Sequence, residues 1–190
     1  AAATAAGIKY QGRTDMAIIY SEKPCKVAGT FTTNVVKAAP VKWDRQIVES
    51  KQKSQAVIVN SGIANACTGE EGMKYCEETA KEAGKVLGID EKGVLVGSTG
   101  VIGMQIPIDK IKAGITELAK GKKADLASGT EAAKAIGMTH VQTMMNVILS
   151  GIAQHHASDW QQPDHQYQGY LRSFHYWNCR TFLHNKRRSW

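Results

Sequence analysis

Residues 55–69 read QAVIVNSGIANACTG, and this stretch decides the fold because a strand-like run passes directly into a loop of small side chains. Residues 55–60 are rich in β-branched side chains and end at a polar residue, which is typical of a strand. Residues 61–69 consist mainly of amide, glycine, alanine and hydroxyl side chains. Composition leaves open whether these side chains satisfy the backbone of a tight loop or line a polar pocket.

The residues that follow this loop, 70–87, predict an amphipathic helix. The apolar side chains that recur there at intervals of three and four are Met73, Cys76, Ala80, Ala83 and Leu87. This spacing places them on one helical face, and Gly88 directly after them is a natural C-cap. The pattern therefore predicts an amphipathic helix that ends at Gly88.

The remaining elements are predicted from shorter patterns. Further strands are expected at residues 16–20 (MAIIY), 28–33 (AGTFTT) and 93–96 (GVLV). A second helix, after Pro107, is marked by Ile111, Ile115 and Leu118, and a third spans residues 124–136. Because strands come first and helices follow, the order favours an α+β layered fold over a doubly wound sheet.

The glycine-rich segment 97–103 (GSTGVIG) follows the fourth predicted strand. Such a turn can point successive backbone N–H groups at an anion or an oxyanion. It lacks the Gly-Lys-Ser/Thr ending of a phosphate-binding P-loop and the G-x-G-x-x-G spacing of a dinucleotide site. The alternative interpretation is a turn with no chemical role.

Composition restricts the class of protein. The chain has 190 residues, 43% of them hydrophobic, and a net charge of +7 from 24 basic and 17 acidic residues. No apolar run reaches the roughly 18 residues that a membrane span needs, so we expect no membrane segment. Four cysteines without a C-x-x-C pair predict reduced thiols in a cytosol-like compartment rather than a disulfide framework or a zinc motif.

The composition changes near residue 137, and we divide the chain into a domain at 1–145 and an atypical tail at 146–190. All six histidines lie at or beyond His140, and residues 150–190 carry five basic residues against two acids. The tail's histidines fit no zinc spacing, so no metal site is expected, and its short basic end is interpreted as a solvated terminus rather than a nucleic-acid patch. Our hypothesis for the tail is a shifted reading frame or a faulty gene model, testable by translating the gene in its other two frames, and the alternative expectation is a disordered segment.

Several blocks in the first 136 residues together resemble the ornithine acetyltransferases of arginine biosynthesis, also called bifunctional glutamate N-acetyltransferases. The blocks are residues 6–9 (AGIK), 28–34 (AGTFTTN), 36–41 (VKAAPV), 57–62 (VIVNSG), 64–69 (ANACTG) and 98–103 (STGVIG). They follow the order that they have in the family. The resemblance implies an α+β fold of the layered α-β-β-α sandwich type, here incomplete.

The resemblance also implies an acetyl transfer from N-acetylornithine to glutamate through an acetyl-threonine enzyme. Thr143 matches the nucleophile, which becomes a new N-terminus when the chain cuts itself. Thr99 and Gly100 match the pair that stabilises the oxyanion, and Lys134 and Thr139 are matched to substrate binding. A free α-amino group with a pKa of about 8 suits the role of base for the threonine hydroxyl.

Other expectations follow from the same resemblance. It implies no cofactor and no metal, although some members accept acetyl-coenzyme A as the acetyl donor. It implies a two-chain heterotetramer after self-cleavage, located in the cytoplasm or, alternatively, in the mitochondrial matrix. The rival hypothesis is a non-catalytic fragment, or a binding protein that uses its basic aromatic tail.

Overall fold

The computed structural model describes residues 1–135, 137, 139 and 142. The strands in this part of the chain are β1 (Ala2–Thr4), β2 (Met16–Cys25), β3 (Ser54–Asn60) and β4 (Val94–Ser98). The α-helices are α1 (Ala39–Glu49), α2 (Glu71–Leu87), α3 (Ile108–Gly121) and α4 (Leu126–Ala135). The α+β class is therefore confirmed, while the proposed tail at 146–190 and the domain boundary before it lie outside the described residues.

The four strands form one mixed sheet in the order β1-β2-β3-β4. β1 and β2 run antiparallel, as do β2 and β3, whereas β3 and β4 run parallel. Two parallel neighbours need a long crossover, and α2 supplies it between β3 and β4. Asn60 and Ser98 are partners in this ladder, so the loops that leave these two strands start side by side.

The main core lies between the sheet and the helices α2 and α3. It includes Ile18, Ile58 and Val94 from the strands, and Ala80, Ala83, Ile111, Ile115 and Leu118 from the helices. Ile58 is only 1% exposed, and complete burial of one such side chain stabilises the fold by about 2–3 kcal/mol. The predicted apolar face of α2 thus forms part of the core, and Gly88 ends that helix in the left-handed conformation that the sequence predicted.

The opposite face of the sheet is covered at β1 and β2 by α4. Ala132 and Ala135 pack there against Ala17, which allows a close approach between helix and sheet. Asp125 lies directly before this helix, and its carboxylate accepts a hydrogen bond from the Ser128 N–H at 2.7 Å. The third predicted helix, at residues 124–136, is therefore confirmed with slightly shorter bounds.

The predicted strand at residues 28–33 is wrong, since residues 26–34 form no regular secondary structure. Side chains in this segment hydrogen-bond to the local backbone instead: the Thr32 hydroxyl accepts from the Asn34 N–H, and the Asn34 side chain accepts from the Val36 N–H, both at 3.1 Å. Such local bonds compete with a strand ladder. The sequence analysis also missed β1 and α1.

Helix α1 covers the free edge of β4 with two side chains. The Trp43 indole N–H donates to the Val94 carbonyl, and the Asp44 carboxylate accepts from the Val96 N–H, both at 2.9 Å. An edge strand with unpaired backbone groups is a template for unwanted pairing, and α1 occupies these two groups. Burial raises the pKa of Asp44 to about 6, against the opposing effect of the Val96 hydrogen bond.

We expect Asp44→Asn to stabilise the protein at alkaline pH. Because the pKa of Asp44 is raised on folding, its contribution is most favourable below about pH 4 and is lost as the pH rises through 6. An asparagine keeps an acceptor for the Val96 N–H without the charge. Urea unfolding at pH 8 should give a gain of about 1 kcal/mol, which is less than the full pKa shift would imply because the half-buried carboxyl is partly screened by solvent.

The gain from Asp44→Asn should shrink towards zero at pH 4, where Asp44 itself becomes neutral. Asp44→Ala is the matched control, because it removes the charge and the acceptor together. It should be destabilised by about 1–3 kcal/mol at both pH values, since the Val96 N–H loses its partner. A lower stability of Asp44→Asn than of the parent at pH 8 would contradict the assignment.

None of the helices formed by residues 1–135 combines the length and the apolar character that crossing a bilayer requires.

Candidate active site

Two loops meet at the carboxyl ends of the parallel strands β3 and β4. The Val101 N–H donates to the Gly62 carbonyl at 3.0 Å, and the Ala64 N–H donates to the Val101 carbonyl at 2.9 Å. These bonds form an isolated parallel bridge between Ile63 and Val101. The carboxyl edge of a parallel sheet is a common place for a site, because loops that leave neighbouring strands converge there.

Amide and hydroxyl side chains hold this pair of loops together from within. The Ser98 hydroxyl accepts from the Asn65 N–H at 2.8 Å, and the Asn60 side-chain amide donates to the Ile63 carbonyl at 2.8 Å. Asn65 is only 2% exposed, and its side chain donates to the Gly72 carbonyl while accepting from the Thr68 hydroxyl. The structure thus supports the first interpretation of residues 61–69, in which polar side chains satisfy the backbone of a tight loop.

A small cavity lies beneath these loops. Asn60, Asn65 and Ser98 contribute polar atoms to its lining, and its volume is about 10 Å³. That is room for a single water molecule and not for an amino acid. Any substrate handled by these loops must therefore bind on their outer, exposed side.

The outer side of the loops carries the predicted oxyanion residues, Thr99 and Gly100. Both are exposed, and they follow the last residue of β4. The Thr99 N–H is already used, because it donates to the Asn60 carbonyl at 3.0 Å. The expectation that successive backbone N–H groups point at one anion therefore needs correction at Thr99, whose free donor is its hydroxyl.

Gly100 supplies the second donor of the turn. Among the described residues, neither its N–H nor the Thr99 hydroxyl has a hydrogen-bond partner. Its φ of +133° lies in a region that favours glycine, and an added Cβ would overlap the carbonyl group of Gly62. The turn thus offers one hydroxyl and one N–H to a ligand, and it requires glycine at position 100.

Asp15 is a structural residue of this region that the sequence analysis missed. It is 6% exposed, and its two carboxylate oxygens accept hydrogen bonds from the Ala6 and Ile8 N–H groups, each at 2.7 Å. Its own carbonyl accepts from the Ser61 N–H at 2.8 Å, which ties the N-terminal segment to the loop after β3. The available signal was an acidic residue placed directly before the apolar run at residues 16–20.

Of the other predicted site residues, the described structure places Lys134 away from the turn. Lys134 is exposed on α4, which packs on β1 and β2, whereas the turn follows β4 at the other edge of the sheet. Thr139 is exposed, and its N–H donates to the Gln142 side chain at 2.9 Å. Thr143, the predicted nucleophile, lies outside the described residues. The roles of all five residues stay predictions.

The described residues also contain no group of three His, Cys, Asp or Glu side chains placed to hold a metal ion. Asp44 is the acidic residue of this part of the chain whose pKa is raised most. Its carboxylate bonds to the edge of β4 and not to a ligand site. Its charge adds to burial in raising the pKa of the neighbouring Cys76 thiol to about 12. A thiol in this state stays protonated, so Cys76 is not a nucleophile.

Comparison with known proteins identifies the family. The family model for ArgJ matches residues 1–155 of the chain. The chain belongs to the ArgJ family. The resemblance to the ornithine acetyltransferases is thereby confirmed, and the blocks that carried it lie within the matched region.

Relatives within the ArgJ family are similar over most of the described residues. The arginine biosynthesis bifunctional protein ArgJ of Thermotoga neapolitana is 50% identical over 121 residues, which are 63% of this chain and 30% of the relative. The protein of the same name from Mycolicibacterium paratuberculosis is 40% identical over 166 residues, or 84% of this chain and 39% of the relative. The chain thus spans about a third of the length of the curated relatives that it matches.

Two solved ArgJ structures share the fold. ArgJ of Bacillus halodurans is 37% identical with a TM-score of 0.66, over 71% of this chain and 69% of that one. The ornithine acetyltransferase of Mycobacterium tuberculosis, solved in complex with ornithine, is 42% identical with a TM-score of 0.69, over 73% of this chain and 74% of that one. These comparisons support the α+β architecture described above.

Proposed function

We propose that this ArgJ chain takes part in an N-acetyltransferase that moves an acetyl group from N-acetylornithine to glutamate in arginine biosynthesis. One observation supports the proposal beyond family membership: the Thr99–Gly100 turn presents two donors, at the carboxyl ends of β3 and β4, that no described residue occupies. Paired donors on an exposed turn suit the negative oxygen that develops during acyl transfer. Removing one such donor typically raises the barrier by about 3–4 kcal/mol.

The proposed reaction passes through an acetyl ester on Thr143. Self-cleavage before Thr143 frees its α-amino group, which takes the hydroxyl proton as the threonine oxygen attacks the acetyl carbon. The amide C–N bond of N-acetylornithine breaks, and the proton passes to the departing amine of ornithine. Glutamate then attacks the ester through its amino nitrogen, which forms N-acetylglutamate and returns the proton to the Thr143 oxygen.

The remaining roles belong to the same proposal. Lys134 and Thr139 contact the substrate, no metal or tightly bound cofactor takes part, and acetyl-coenzyme A serves as an alternative donor. Self-cleavage gives two chains that assemble as a heterotetramer. The relatives named above are bacterial proteins, which favours the cytoplasm as the compartment.

Intact-mass spectrometry of the purified 190-residue chain tests the proposal first. We expect two pieces, residues 1–142 and 143–190, and after incubation with N-acetylornithine the mass of one acetyl group on the second piece. Labelled acetyl should then appear on glutamate. Thr143→Val, which keeps the shape of the side chain without its hydroxyl, should show neither cleavage nor acetylation.

A chain that stays whole and takes up no acetyl group would contradict the proposed function. It would leave the rival hypothesis of a non-catalytic protein. Salt-dependent retention on a polyanion column would then favour binding through the basic aromatic tail, because cations that contact phosphate-like groups are displaced by salt. Thr130→Val, at a half-buried position of α4, is the matched threonine control and should cleave and acetylate as the parent does.

A further inference from the structure

The N-terminal segment carries two cations without acidic partners. The Lys9 ammonium lies 5.1 Å from the centre of the Tyr10 ring, and the Arg13 guanidinium lies 5.6 Å from it. Lys9 and Arg13 are exposed, and neither takes part in an ion pair with any acidic residue of the described structure. Two positive charges that share one aromatic ring repel each other, so an anion bound between them would be stabilised.

These cations lie beside the candidate active site. A Cβ added to Gly62 would lie 3.2 Å from the Lys9 Cβ, so the stem of Lys9 packs on Gly62. Gly62 in turn lies against Gly100, whose added Cβ would overlap the Gly62 carbonyl. Only one residue therefore separates Lys9 from the turn with the two free donors.

The segment that carries Lys9 and Arg13 is held in place from both sides. Asp15 accepts hydrogen bonds from the Ala6 and Ile8 N–H groups, and the Lys110 ammonium donates to the Gly7 carbonyl at 2.6 Å. A site whose backbone is fixed before binding loses little conformational entropy when the ligand arrives. The positions of the two cations are thus set by the fold, although their side chains stay exposed.

We propose that Lys9 and Arg13 form a carboxylate subsite that binds the amino-acid end of the N-acetylated substrate while its acetyl carbonyl lies at the Thr99–Gly100 turn. The inference rests on the proposed function and adds two residues to it. In an N-acetyl amino acid, a few covalent bonds separate the carboxylate from the acetyl carbon, which matches the one residue between Lys9 and the turn. In acetyl-coenzyme A, a long pantetheine arm separates the phosphates from the acetyl carbon, so they would lie beyond Lys9.

Equilibrium binding to the 190-residue chain tests the subsite. The probes are N-acetylornithine, the same molecule with its carboxylate replaced by a carboxamide, and coenzyme A, each titrated by calorimetry. We expect the Lys9→Gln/Arg13→Gln variant to bind N-acetylornithine about ten-fold more weakly than the parent, since charge-assisted hydrogen bonds are lost. The carboxamide should bind weakly, with similar dissociation constants, to the parent and to the Lys9→Gln/Arg13→Gln variant.

The matched control is Lys85→Gln/Arg45→Gln, which removes the same two charges from exposed positions on α2 and α1. It should bind N-acetylornithine as the parent does, because neither residue belongs to the N-terminal segment. Equal weakening in both variants, no binding to the parent, or no change in Lys9→Gln/Arg13→Gln would overturn the proposal. A loss confined to coenzyme A would also overturn it, in favour of a phosphate ligand.

The two proposals fail in different ways. A chain that binds N-acetylornithine through Lys9 and Arg13 but transfers no acetyl group contradicts only the proposed function. A chain that transfers acetyl, with the same KM for N-acetylornithine in the parent and in Lys9→Gln/Arg13→Gln, contradicts only the carboxylate subsite.

Discussion

Gly100→Ala should lower the free energy of unfolding by about 3 kcal/mol or more, through backbone strain and steric overlap. The φ of Gly100 is +133°, and the new methyl group would enter the space of the Gly62 carbonyl. This neighbour is backbone, and it accepts the Val101 hydrogen bond at 3.0 Å, so it cannot move without opening the bridge between the two loops. Urea unfolding at pH 7, followed by circular dichroism, measures the loss.

Substitutions at two other glycines distinguish the contribution of backbone strain from that of steric overlap. Gly103 has a φ of +84° with open space around its Cβ position, so Gly103→Ala should cost only the strain, about 1–2 kcal/mol. Gly121, at the end of α3, has neither a positive φ nor a close neighbour, and Gly121→Ala should be neutral or slightly stabilising. If Gly100→Ala lost no more stability than Gly103→Ala, the close contact between the two loops would be refuted.

The sequence predicted those elements whose residues are placed by one repeating pattern. The apolar positions of α2 follow the helical period and are buried together, and residues 55–60 alternate between the two faces of the sheet. Because burial of one face requires apolar side chains at regular spacing along the element, it can be recognised from neighbouring residues in the sequence. The bounds of β2 and β4 were predicted less well because strand ends depend on the neighbouring strand.

The elements that were missed depend on partners far away in sequence. Helix α1 buries few side chains of its own and is fixed through Trp43 and Asp44, which bond to residues of β4 about fifty positions later. Residues 28–33 have the composition of a strand, but none of the strands within residues 1–135 pairs with them. Strand composition describes a suitable surface and does not supply the partner.

The candidate site was also predicted only where a local sequence pattern marks it. The turn at residues 97–103 was visible as a glycine-rich segment, and the resemblance singled out Thr99 and Gly100 within it. The use of the Thr99 N–H by Asn60 follows from the parallel register of β3 and β4, which no local pattern encodes. The contact between Lys9 and Gly62 likewise joins residues that are distant in sequence, so only the folded chain reveals it.

Asp15→Ala should lower the free energy of unfolding by about 3–5 kcal/mol, which is a large share of the stability of a typical domain. The Asp15 carboxylate accepts two backbone hydrogen bonds at 2.7 Å, and the alanine would leave both donors without a partner. One of them belongs to Ile8, which is 4% exposed, so water cannot easily replace the lost acceptor. Chemical unfolding at pH 7 measures this loss.

Two variants show whether the loss comes from the buried pair of hydrogen bonds. Asp15→Asn keeps one acceptor oxygen but turns an amide donor towards the second N–H, so it should recover only part of the stability. Asp90→Ala removes an exposed carboxylate that accepts hydrogen bonds from the Lys92 N–H and from the Gln52 side-chain amide. Because water can reach both donors, this change should cost only about 1 kcal/mol. A loss of unfolding free energy for Asp15→Ala no larger than that for Asp90→Ala would show that Asp15 does not hold the N-terminal segment. The hydrogen bonds of Asp15 would then not explain why Lys9 is fixed beside Gly62.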